Sequence, residues 1–207
     1  VALPSPMFDT CQLTQPCGTR CEDHLVVITF DERAVVAVAD GAGGSGSGGE
    51  AARQIVDAVR EQAATLSGEA DWRRLLERLD PQIGPGETTA VVVELTSSRL
   101  CGASVGDSGA WLIEGDALHD LTRHQRRKPL LGSGVALPVS FIHAPWEGLL
   151  LMATDGLLNY VKRETAVKLA STADFTTLPR LLVESVRLPS GEYWDDVGIV
   201  VCRRSRV

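Results

Sequence analysis

The chain has 207 residues, of which 44% are hydrophobic and 23% charged, with a formal net charge of −7. These globular proportions suit one domain over 1–207, and the acidic balance argues against a nucleic-acid partner, which needs a basic face. No run reaches the roughly 18 apolar residues of a spanning helix, so no membrane partner is expected.

VALPSPMFDT, 1–10, lacks the basic-then-apolar pattern of a secretory signal. Five cysteines, Cys11, Cys17, Cys21, Cys101 and Cys202, are an odd set that favours reduced thiols and a cytoplasmic location. Cys11, Cys17 and Cys21 lie close together, but their spacing fits no zinc-finger pattern. LVVITF, 25–30, and AVVAVAD, 34–40, are β-branched apolar runs separated by DER, which predicts a hairpin of buried strands. EAARQIVDAVREQAATL, 50–66, has apolar residues at helical spacing, and Trp72, Leu75, Leu76 and Leu79 predict a second helix. Strands are predicted at 88–95, 99–106, 110–115 and 117–122, with Ser97–Ser98 and Gly115–Asp116 as turns. HQRRKPLLGSG, 124–134, reads as a loop. Strands follow at 140–145 and 148–155, then a helix at 178–188 and a last strand at 197–204. The order predicts a mixed or antiparallel sheet system covered by helices, not regular βαβ alternation.

Carboxylates recur beside these strands. Asp40 closes VVAVA, Asp107 closes CGASVG and Asp155 closes LLLMAT. Glu22 and Asp23 precede LVVITF, and Asp195 and Asp196 precede VGIVV. One aspartate at a strand end is usually a turn former or helix cap. Five such strand ends, if gathered, form an acidic basin that a hard divalent cation would neutralise. Gly41 and Gly156, each following an aspartate, are expected to let the chain turn sharply and bring a carbonyl close to an ion. The glycine-rich run 41–49 has a rival reading as a phosphate cradle. A P-loop needs Lys and Ser or Thr at the helix start, where this chain has Glu50, Ala51 and Ala52.

In order, TRCEDHLVV (19–27), VVAVADGAGG (35–44), GETTAVVVEL (86–95), ASVGDSGAWL (103–112), LLLMATDGL (149–157) and DDVGIVV (195–201) resemble the metal-dependent protein phosphatases of the PPM (PP2C-like) family. The resemblance implies an α+β fold, a β-sandwich of two mostly antiparallel sheets flanked by helices. It also implies hydrolysis of phosphoserine and phosphothreonine in a protein substrate by water activated between two Mn2+ or Mg2+ ions, opposing a Ser/Thr kinase. Asp40 matches the aspartate that bridges the two ions. Gly41, through its carbonyl, and Glu22 match the second metal's ligands, and Asp155 and Asp195 match the first metal's. Asp107 matches the position associated with a third, weaker ion, and Asp23 an acidic neighbour that supports the site by hydrogen bonds. Asp196 stands where the family usually has Asn, so it is not expected to be a direct ligand.

Other departures bear on catalysis. Arg20 lies two residues before Glu22, where many members place a phosphate-gripping arginine four before; with Asp40 and Asp155 it is a candidate catalytic residue. Gly109 replaces the usual Arg after GDS, and 124–134 is too short for the substrate flap, leaving Arg126, Arg127 and Lys128 as a basic lip. No general acid is assigned among the four histidines. No Cys-x5-Arg nucleophile signature occurs; Gly106 stands five residues after Cys101. Two alternatives share these residues: a phosphoprotein-binding module with weak or no turnover, and a small-molecule phosphatase.

Overall fold

The computed structural model describes residues 7–42 and 47–205. The centre of the glycine run, 43–46, and most of the stretch read for a signal, 1–6, lie outside the described residues. Two antiparallel sheets face each other. One has the order β1 (Phe8–Gln15), β11 (Val197–Arg204), β10 (Leu149–Ala153), β7 (Gly109–Glu114), β8 (Ala117–Asp120). The other runs β2 (Asp23–Thr29), β3 (Arg33–Ala42), β5 (Ala90–Thr96), β6 (Leu100–Val105), β9 (Val139–His143), with the short β4 (Glu87–Thr88) on β3. Helices α1 (Ser47–Gln62) and α2 (Glu69–Leu79) cover the second sheet. Helices α3 (Asp155–Leu158), α4 (Arg163–Thr172) and α5 (Leu178–Ser185) cover the first. The result is a four-layer α-β-β-α sandwich.

This layering explains why the strands read as unbroken apolar runs. Val36, Val38, Val91, Val93, Leu112, Leu150, Met152 and Val200 pack between the sheets. Their chain neighbours Val35, Ala37, Ala39 and Val92 meet Ile55, Val59 and Trp72 of α1 and α2. On the other side Trp111, Ile113, Leu151 and Ile199 meet Leu178 and Leu182 of α5. Each sheet is covered on both faces, so neither face requires polar residues. Truncating an interlayer side chain such as Leu150, which is fully buried, should cost about 2–5 kcal/mol.

The predicted hairpin, both flanking helices of the second sheet, the loop 124–134 and the final strand are all present, with shifted ends. Among the strands and α-helices, three went unpredicted: β1, α3 and α4. FDTCQLTQ is an edge strand with few fully buried positions, and it gains order from pairing with β11. RETAVKLAST buries only Ala166 fully, so its amphipathic signal is weak. The predicted strand 88–95 breaks at Thr89. Thr88 stays in β4 against Gly41, while the Thr89 N–H turns to the carbonyl of Asp40 at 2.9 Å.

The chain does not turn at Gly41. β3 continues through Gly41 and Ala42, which pair with Thr88 and Glu87. Glycine is required there because α1 begins in contact with the strand: a Cβ on Gly41 would lie 2.2 Å from the Gly48 carbonyl carbon. Gly156 likewise does not turn the chain away. It lies in α3, and a Cβ there would meet the Asp196 carbonyl oxygen at 1.9 Å.

Candidate metal centre

Antiparallel pairing places the scattered carboxylates together. β2 and β11 begin where β3, β6 and β10 end, so all five carboxylate-bearing termini lie at one edge of the sandwich. Asp40 in β3, Asp107 after β6 and Asp155 at the start of α3 each offer an oxygen within 4.8 Å of the others. They are the one such grouping of His, Cys, Asp or Glu among the described residues.

The other candidates surround this trio. Asp23 stands directly across the ladder from Asp40 and is 4% exposed. Its Oδ2 accepts the Thr154 hydroxyl at 2.8 Å, and its buried Oδ1 has no partner. Thr154 Oγ1 in turn accepts the Gly198 N–H at 2.8 Å, so this threonine joins β10, β11 and Asp23. Asp195 is exposed and outside the trio, yet its charge acts on Asp23, Asp40 and Asp155. Glu22 packs against the start of α1; a Cβ on Gly48 would lie 2.7 Å from its Oε2. Its backbone carbonyl accepts the Gly41 N–H at 3.3 Å. Asp196 is engaged through both oxygens, which accept the N–H groups of Cys17 at 2.8 Å and Glu22 at 2.7 Å.

Polar residues overlooked in the sequence hold the trio in place. Thr89 Oγ1 accepts the Asp40 N–H at 3.0 Å and shares a 2.6 Å hydrogen bond with Ser108, next to Asp107. Thr88 Oγ1 donates to the Asp40 carbonyl, and Asn159 Nδ2 to Asp155 Oδ2. Their signal was present in the adjacent threonines of GETTA and the threonine of MATDG, but hydroxyl partners cannot be read without the fold.

The cluster is electrostatically strained. Burial, then the neighbouring carboxylates Asp23, Asp155, Asp195 and Asp107, push the Asp40 carboxyl well above the usual range. Burial also raises Asp23, partly offset by the Thr154 hydrogen bond. Asp155 is raised by burial and by Asp107 and Asp195, and relieved by Asp40 and Arg127. Among the described residues one ion pair reaches the trio, from the exposed Arg127 Nε to Asp107 Oδ2 at 2.6 Å. Hard oxygen donors, an unpartnered buried oxygen on Asp23 and uncompensated negative charge fit a divalent cation such as Mn2+ or Mg2+.

Other sequence candidates are not members of the trio. Arg20 is exposed in the loop before β2 and has no ion pair or hydrogen bond among the described residues. His119 and His143 face each other beside Glu114, at the opposite end of β7. His24 is half-buried, its pKa lowered by burial and then by Arg53 of α1. His124 accepts from Arg123. The cysteines do not converge: Cys11 Sγ meets the Thr176 carbonyl and Cys21 Sγ the Asp23 carbonyl. Burial pushes the Cys17 thiol up to about 11 and Cys21 up to about 12, which disfavours thiolate chemistry.

A sandwich of this topology with an acidic cleft at the strand ends is the fold of the PP2C-like phosphatases. The chain superimposes on a Streptococcus agalactiae serine/threonine phosphatase with a TM-score of 0.82 at 17% identity, covering 96% of this chain and 100% of that one. It matches the catalytic domain of the protein phosphatase PstP, solved in complex with two manganese ions, with a TM-score of 0.80 at 18% identity, covering 98% and 100%. The family model for stage II sporulation protein E (SpoIIE) matches residues 31–205, and the chain belongs to that family, within the PPM class. Among curated proteins, a serine/threonine phosphatase stp of Listeria welshimeri is 31% identical over 163 residues, 70% of this chain and 64% of the relative. The chain spans less than two thirds of the length of that relative. No helix among the described residues is long and apolar enough to cross a membrane.

Proposed function

We propose that this chain, working as one catalytic unit, is a metal-dependent phosphatase of phosphoserine and phosphothreonine in proteins, opposing a Ser/Thr kinase. The observation that carries the reading is the meeting of Asp40, Asp107 and Asp155 within 4.8 Å from three distant parts of the chain. Family membership and relatives named serine/threonine phosphatases support it. Five free cysteines support a cytoplasmic setting.

Asp40, Asp155 and Asp195 would hold one Mn2+ or Mg2+ ion. Asp40, Glu22 and the Gly41 carbonyl would hold a second, and Asp107 would serve a third, weaker site. Bound in pairs, such ions lower the pKa of water towards neutrality and withdraw charge from phosphoryl oxygens. The chain's own residues orient the site. Thr88 and Thr89 fix the Asp40 backbone, Thr154 fixes Asp23, and Asp196 holds the Glu22 loop. Arg20, without a hydrogen bond or ion pair among the described residues, would clamp the substrate phosphate in a bidentate fork. No histidine is assigned to protonate the leaving alkoxide.

The test is hydrolysis of para-nitrophenyl phosphate and of a phosphothreonine peptide with Mn2+ and after chelation. Turnover should require the metal and vanish in Asp155→Asn. Turnover that survives complete chelation would overturn the reading.

A further inference from the structure

A second pocket, of about 340 Å3, shares a wall with the metal centre. Asp107 lines it on the cluster side, and Arg123, Arg127, Arg163 and Trp111 line the rest. Asp120 is its other acidic residue. Three guanidiniums therefore meet beside the acidic cluster of a chain that is net negative.

Their pairing is incomplete. Arg127 is committed to Asp107. Among the described residues Arg123 has only a hydrogen bond from Nε to the imidazole of His124, at 3.0 Å, and no carboxylate. Arg163 approaches Asp120 Oδ2 at 3.5 Å through one nitrogen and lies 5.5 Å over the Trp111 ring. Asp120 is itself divided, because its Oδ1 accepts both the N–H and the hydroxyl of Thr122. Two planar forks lining one small space thus keep donors that no carboxylate fully satisfies among the described residues, the arrangement that recognises carboxylate or phosphate oxygens.

We propose that this pocket is a specificity subsite for one anionic side chain of the substrate, either Asp/Glu or a second phosphoresidue. The proposal rests on the phosphatase reading above. An extended chain advances about 3.3 Å per residue, so a peptide whose phosphate lies over the Asp107 wall reaches the pocket within two or three residues. Arg123 and Arg163 read the second charge, and the neighbouring Arg126 and Lys128 steer acidic segments towards it. The pocket takes the place of flap contacts, since 124–134 forms only a short loop.

The experiment uses phosphothreonine peptides in which Gln, Glu or phosphoserine is placed in turn at each of the three residues on either side. With Mn2+, one position should show kcat/KM about fivefold higher for Glu than for Gln, the scale of an exposed ion pair. Phosphoserine at that position should do better if the natural partner is doubly phosphorylated, and Glu alone if it is acidic. In Arg123→Ala and in Arg163→Gln the Glu-to-Gln ratio should fall towards one, while Arg163→Lys keeps part of it. A wild-type protein indifferent to charge at every position, or variants that keep the preference, would overturn the subsite. If no peptide and no para-nitrophenyl phosphate is turned over, the phosphatase reading fails. Fluorescence anisotropy of the same peptides then decides the subsite alone, with the same preference expected in binding.

Discussion

Asp23 and Asp40 stand directly opposite each other across the β2–β3 ladder, two carboxylates on one face of the sheet. Like charges in that position destabilise a sheet, and burial makes the cost larger. The pair therefore stores a repulsion that either protons or cations can relieve. Burial, then its acidic neighbours, moves Asp40 from the ordinary 3.8 up to about 9. A carboxyl raised on folding binds its proton more tightly in the native state than in the unfolded chain. Between about 4 and about 9, stability accordingly falls as pH rises. In chelator, the melting temperature should be lower at pH 8 than at pH 5.5. Mn2+ binds the deprotonated form, so its stabilisation should grow over the same interval. A flat melting profile in chelator would contradict this account.

Neutralising Asp40 separates stability from function. Asp40→Asn removes a buried carboxyl that, raised to about 9, must take up a proton for the chain to fold at pH 8. In chelator at pH 8 the variant should melt above the wild type. With Mn2+ it should lose more than about 99% of turnover, because the site can no longer hold its ions. Thermal melts and para-nitrophenyl phosphate assays on the same preparation test both halves.

Asp196 reaches Glu22 across the molecule and uses its second oxygen on Cys17. Two N–H donors need two acceptors, which a carboxylate supplies and an amide does not. The Asn usual at this position in the family should therefore be a poor replacement here. Asp196→Asn and Asp196→Ala should lower Mn2+ affinity by roughly 10–100-fold, the cost of losing a group that orients ligands. Isothermal titration with circular dichroism as the folding control measures this.

Asp80 has a different role. Buried at the end of α2, it accepts the N–H groups of Gly132, Gly134 and Ala136 at 2.8–3.0 Å. It ties the loop that carries the basic residues to the body of the protein. Asp80→Ala leaves three donors without a partner and should cost about 3 kcal/mol in urea unfolding.

Arg20 is exposed and makes no hydrogen bond or ion pair among the described residues, so its removal should leave the melting temperature unchanged. Arg20→Ala should lower kcat/KM on phosphopeptides by about tenfold or more, and Arg20→Lys should not restore it fully, because an ammonium lacks the bidentate fork. Unaltered kinetics would remove Arg20 from the site.

Much of this organisation was open to reading along the chain. The apolar β-branched runs, the turns at Ser97–Ser98 and Gly115–Asp116, and the amphipathic α1 and α2 follow from local pattern, because burial on one or both faces dictates residue type. The carboxylates beside strands were visible for a related reason: a charge next to an apolar run is costly without a purpose. Less legible were β1 and α4, whose order comes from partners elsewhere and whose own burial is slight.

Residue type and spacing thus settled which side chains are available: the acidic set, Gly41 and the basic stretch 126–128. Their grouping was not a local property. Antiparallel pairing brought the ends of β3, β6 and β10 to the starts of β2 and β11, and so turned isolated aspartates into one repulsive cluster. The roles of Thr89, Thr154 and Asp196 emerged there too, because a hydroxyl or carboxylate acquires its hydrogen-bond partners only when distant backbone folds against it. The glycines followed the same logic: Gly41 and Gly156 are needed not for turning but because another segment passes within van der Waals contact, a constraint that exists only in three dimensions.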